Sequence, residues 1–103
     1  METAAKMKYT ILGKEQSISE LLVKEGIPSN VTGFLYLCKA VSMAAEDPSR
    51  AKHVTKCIYP QIALNENTTS ACVEHAIRYA IRSTGETNTG FISKLALRIE
   101  VQP

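Results

Sequence analysis

The chain has 103 residues, 45% hydrophobic and 21% charged, with a net charge of +2; these are values of a soluble globular protein long enough for one core and too short for two. Only 6% of residues are aromatic and none is tryptophan, which argues against an aromatic platform for single-stranded nucleic acid, and so mild a basic balance does not by itself establish a nucleic-acid partner. The three cysteines, an odd number without close pairing, argue against a disulfide framework; with no signal peptide and no run of roughly 20 apolar residues, the expected location is the cytoplasm and no membrane contact is expected.

Residues 1–16 read as a weakly structured arm, in which Met7, Tyr9 and Ile11 alternate with Lys6, Lys8 and Thr10 as a short strand-like signal. Ser17 then caps a short helix with Ile18, Leu21 and Leu22 on one face, and Gly26 followed by Ile27-Pro28 ends it. Asn30 to Gly33 form a turn. From Phe34 a second helix runs to about Glu46, with Phe34, Leu37, Cys38, Val41, Ala44 and Ala45 facing inward, until Asp47-Pro48 terminates it. Lys52 to Tyr59 lead into a further helix, where Pro60 either kinks the chain or opens a fresh turn at its first position.

Ile62 and Ala63 end that helix, and Asn67 lies in the following turn, where asparagine tolerates a left-handed backbone. Thr69 stands where a hydroxyl accepts from the free amides of the next helix. There Val73, Ala76, Ile77, Ala80 and Ile81 fall at i, i+3, i+4, i+7 and i+8, a single apolar stripe. After Arg82 the polar stretch Ser83 to Thr89 is a loop. Phe91, Ile92, Leu95, Ala96 and Ile99 make a closing helical stripe, although the alternation of Leu95, Leu97, Ile99 and Val101 also suits a strand. The expected fold is all-α, a compact bundle of about five helices filling residues 17–103.

The spacing around residue 67 is more specific. A small residue at Ala63 lets two helices approach, Asn67 follows four later, and Val73 comes ten later to seat the second helix on the first. That is the packing logic of a helix-turn-helix, whose second helix enters the DNA major groove. An ordinary helical hairpin in a small bundle would show the same spacing. No glycine-rich phosphate loop, nucleophile elbow or cofactor motif is present, so no enzyme and no cofactor are expected. Cys72 and His75 are three apart on one helix, but no further cysteine or histidine has ligand-like spacing, so no metal is expected either. Cys38 and Cys57 lie on apolar stripes and read as core.

The segments GIP, GFLYLCKAVSMAAED, TKCIYPQIA, NTTSACVEHAIRYAI and TNTGFI, in this order, resemble the C-terminal DNA-binding effector domain of the stage-zero sporulation protein A response-regulator family, from about Ile18 to Glu100. The resemblance implies a helical domain that uses a helix-turn-helix to bind short double-stranded DNA boxes, as tandem copies or a homodimer, and regulates transcription. In that family a phosphorylated receiver domain precedes the effector domain; only about 16 residues precede the first helix here, so an effector domain without a receiver is expected. The family's recognition helix usually reads TTASRVERAIRHAI, with arginines where this chain has Cys72 and His75, and Glu66 replaces an aromatic residue before the turn asparagine. The family's additional helix and loop before the final helix have shrunk to Ser83 through Thr89.

The recognition helix is thus expected over residues 69–83. Glu74 accepts from a cytosine amino group and Arg78 reaches guanine or phosphate, while Cys72 and His75 stand at reading positions without a guanidinium fork, which is worth roughly 1–3 kcal/mol of discrimination. Thr68, Thr69 and Ser70 at the helix start, with Arg82, Lys52 and Lys56, are the expected phosphate contacts. Two bland readings stand beside these. Arg78 and Arg82 also suit a solvated face, Glu74 being one turn before Arg78. A degenerate protein-interaction module, modulating a related full-length regulator without reading DNA, also accounts for the lost arginines.

Overall fold

A computed structural model describes residues 18–101, so the expected arm over 1–16 and the Ser17 cap lie outside the described residues. Six α-helices follow in order: α1 (18–24), α2 (Thr32–Glu46), α3 (Pro48–Ala51), α4 (Tyr59–Asn65), α5 (Ser70–Ala80) and α6 (Asn88–Val101). A π-helical turn, Val54–Ile58, joins α3 to α4, and a 3-10 turn, Arg82–Thr84, follows α5. No strand occurs among the described residues. The all-α expectation holds, with α3 as one short helix more than expected; the strand alternative for the last segment does not, since Asn88–Val101 is helical with Phe91, Ile92, Leu95, Ala96 and Ile99 buried on one side.

The longest helix, α2, is the post against which both α5 and α6 pack. It begins two residues earlier than expected, and its buried side is turned slightly. Tyr36, Leu37, Ala40, Val41, Ala44 and Ala45 are buried, while Phe34 and Cys38 lie half-buried on its flank. Ile18 and Leu22 of α1, Ile58 and Ile62, Val73 and Ile77, and Phe91 and Leu95 complete the core, each fully removed from solvent. Each such side chain contributes roughly 1.5–3 kcal/mol of transfer free energy, which is what holds helices as short as α4 in place. Asp47 ends α2 and caps α3 at once, its carboxylate accepting from the Ser49 amide and hydroxyl.

Before α4 the chain takes one π turn, with Tyr59 N–H donating to the Val54 carbonyl. Pro60 has no N–H to continue a regular ladder, so it opens α4 in its first turn rather than kinking a longer helix. The wider turn still buries Val54 and Ile58 but leaves Cys57 exposed, which corrects its assignment to the core.

Candidate nucleic-acid interface

The turn between α4 and α5 is built from backbone first. Asn67 has φ 54°, the left-handed conformation anticipated for it. The amide of Thr68 donates to the Ala63 carbonyl at 2.9 Å and that of Asn67 to the Leu64 carbonyl at 3.5 Å, the paired bonds of a Schellman motif that satisfy the free carbonyls of α4. Glu66 reaches back 3.5 Å to Lys39 of α2. Thr69 caps α5, its hydroxyl accepting from the Cys72 amide at 3.1 Å. The Thr69 hydroxyl, then that of Thr68, holds the exposed Cys72 thiol below its usual range.

At 100° per residue, α5 divides cleanly. Val73, Ile77, Ala80 and Ile81 are buried and Ala76 is half-buried, while Ala71, Cys72, His75, Arg78, Tyr79 and Arg82 are exposed. The seat against α2 is very close. A Cβ on Gly33 would stand 2.1 Å from the Ala76 carbonyl oxygen and 2.8 Å from Ala80 Cβ, so glycine is needed there for approach.

On the outward face Arg78 pairs with Glu74 one turn earlier, the arrangement its i, i+4 spacing allows. Arg82 donates to the Tyr79 carbonyl at 2.8 Å and lies 4.0 Å over the Tyr79 ring. Two hollows flank the helix. One, of about 390 Å³, brings Glu74 and Arg78 together with Thr55 of the π turn, Tyr59 of α4 and residues 86–89 before and within α6. The other, of about 350 Å³, sets His75 and Tyr79 beside Asn30 and Thr32 at the start of α2. Lys52 and Lys56 are exposed but line neither hollow. Thr68, Thr69 and Ser70 stand together at the mouth of α5. Among the described residues no three histidine, cysteine or acidic side chains gather as metal ligands.

Two boundaries differ from expectation. The helix expected over 69–83 is Ser70–Ala80 with Thr69 as its cap. Ile81 leaves helical geometry, the Thr84 amide bonds to its carbonyl at 2.9 Å, and Gly85 turns left-handed at φ 73°, so Arg82 sits on the 3-10 turn rather than in the helix. The sequence reading also missed Thr55, Tyr59 and Asn88, which border Glu74 and Arg78. Asn88 Nδ2 donates both to the Tyr59 hydroxyl at 3.0 Å and to the Glu74 carbonyl at 3.1 Å. These partners are 29 and 14 residues away, and no local pattern signals them.

A short first helix, a left-handed turn and a capped, amphipathic second helix seated closely on α2 define a helix-turn-helix domain. The chain belongs to the family described as sporulation initiation factor Spo0A C terminal, whose pattern it matches over residues 18–98. That is a family of DNA-binding regulatory domains of sporulation and not an enzymatic one. No helix among the described residues is long and apolar enough to cross a membrane.

Proposed function

We propose that this domain regulates transcription by reading double-stranded DNA with the outward face of α5 in the major groove. The observation that carries the reading is the polarity of α5: its aliphatic side is sealed against α2 and α4, and Arg78 and His75 stand on the open side beyond a mouth of Thr68, Thr69 and Ser70. Arg78 and Glu74 read bases. An exposed ion pair of this kind is worth only about 0.3–0.5 kcal/mol, against roughly 1–3 kcal/mol for a bidentate guanine contact, so DNA readily draws Arg78 away from Glu74. Arg82, held over Tyr79 at the end of the helix, suits a phosphate better than a base edge. Thr68, Thr69, Ser70, Lys52 and Lys56 add backbone contacts, and two copies on adjacent boxes complete the assembly.

A second reading, a protein-interaction module, is favoured by the exposure of Cys72 and His75 where the family's pattern carries arginines. Fluorescence anisotropy against duplex DNA at several salt concentrations separates the two. A DNA reader loses affinity steeply as salt rises, and Arg78→Ala weakens it by about 1–3 kcal/mol. Salt-independent binding unaffected by Arg78→Ala would leave the interaction module.

A further inference from the structure

Both helices of the helix-turn-helix meet a single side chain from outside it. Asn88, the first residue of α6, gives one amide hydrogen to the buried Tyr59 hydroxyl at the start of α4 and the other to the Glu74 carbonyl in the middle of α5. No other side-chain hydrogen bond among those described reaches α4 and α5 together. Beyond the backbone bonds of the turn that joins them, the two helices bring Ile62, Ala63, Val73 and Ile77 to the apolar core, and apolar contact is non-directional. It resists separation of the helices far more than sliding or rotation. A bidentate amide bond fixes direction as well as distance.

The Glu74 carbonyl belongs to the residue whose carboxylate pairs with Arg78, so Asn88 grips α5 at the turn from which both base-reading side chains project. We propose that Asn88 is a positioning residue for DNA reading: by tying Tyr59 of α4 to Glu74 of α5 it sets the rotation of α5 and hence where Glu74 and Arg78 meet the base edges. The inference rests on the DNA-reading conclusion above. Asn88 itself lies at the edge of the cleft beside Arg78, and its effect passes through the helix it holds.

The test starts from a duplex selected out of a random pool by the wild-type chain, with a scrambled duplex of equal length as reference. Binding is measured at a temperature where circular dichroism shows every variant fully folded. Asn88→Ala lowers the ratio of selected to scrambled affinity by about tenfold, equivalent to about 1.4 kcal/mol, while the slope of log affinity against log salt stays as in wild type, because the phosphate contacts are intact. A merely structural loss would weaken both duplexes equally. Tyr59→Phe keeps the ring and the Glu74 bond, lowers the ratio less, and lowers it no further when combined with Asn88→Ala; should Asn88→Ala not fold, the drop caused by Tyr59→Phe alone at an unchanged salt slope decides. A preference that survives Asn88→Ala, survives Tyr59→Phe, or falls additively in the double variant overturns the role of Asn88 alone. A wild-type chain without any preference among duplexes overturns the DNA-reading conclusion and this role with it.

Discussion

Gly33→Ala is the substitution that most sharply tests how α5 is held. The added methyl would lie 2.1 Å from the Ala76 carbonyl oxygen, 2.8 Å from its carbon and 2.8 Å from Ala80 Cβ, where real contacts do not fall below 3.0 Å. All three obstacles are backbone or Cβ atoms without a rotamer to turn, so α5 must retreat by roughly 0.9 Å, the difference between 2.1 and 3.0 Å. Helix propensity works the other way: replacing glycine by alanine in a helix gains at most about 1 kcal/mol, and less in a first turn. Overpacking typically costs about 1–3 kcal/mol, and an obstacle of backbone lies at or above the top of that range. The strain wins, leaving a net loss of about 2–3 kcal/mol, which for a domain of this size lowers Tm by roughly 10–20 °C. Urea denaturation followed by helical circular dichroism measures it directly. A loss below about 0.5 kcal/mol, or a gain of the size propensity allows, would show that α2 and α5 do not approach so closely, and the seating of α5 would need another explanation.

Thr69→Ala removes the cap of α5 and should cost about 1 kcal/mol in the same denaturation assay, whereas Thr69→Ser should cost much less because the accepting oxygen is kept. Glu25 accepts from Arg98 at 3.0 Å and Lys94 at 3.3 Å, and the Arg98 bond chiefly, then Lys94, holds its carboxyl below the ordinary 4.5. Its contribution is therefore present above pH 4.5 and lost as pH falls through the lower folded value. Wild type should exceed Glu25→Gln by under about 1 kcal/mol at neutral pH, and the gap should close in acid. Lys94 has the opposite sign. Glu86 first, then Glu25, raises it above 10.5, so its share is complete below that pH and fades as pH rises through the folded value; in Glu86→Gln the alkaline loss should come earlier in a pH series of urea midpoints.

What could be read from the sequence was what neighbouring residues decide among themselves. The stripe from Val73 to Ile81, the Thr69 cap and the left-handed Asn67 all depend on spacings of a few residues, and the structure places each as expected. The Arg78–Glu74 pair was legible for the same reason. Contacts made across the chain were not. Gly33 reads locally as a turn residue, and only the packed bundle shows that it clears the way for the Ala76 backbone. Cys57 falls on an apolar stripe only if the helix before Pro60 keeps its ordinary period, and the π turn changes that period. Asn88 reads as part of a polar loop until α6 brings it against Tyr59 and Glu74. The exposed side of α5 was therefore visible, and the long-range contacts around it were not.

If the open face of α5 lies against DNA, as proposed above, Cys72 is a reporter already on that face. Its thiol is exposed and held below its usual range by the Thr69 and Thr68 hydroxyls, whereas Cys38 is half-buried on α2. Alkylation rates at each cysteine, followed by mass spectrometry with and without a saturating duplex, test the claim at the atom concerned. Cys72 should be protected by the duplex and regain its free rate in high salt, while Cys38 is unaffected throughout. An unchanged Cys72 rate on DNA that the protein demonstrably binds would contradict the claim, because that face would then be pointing away from the groove.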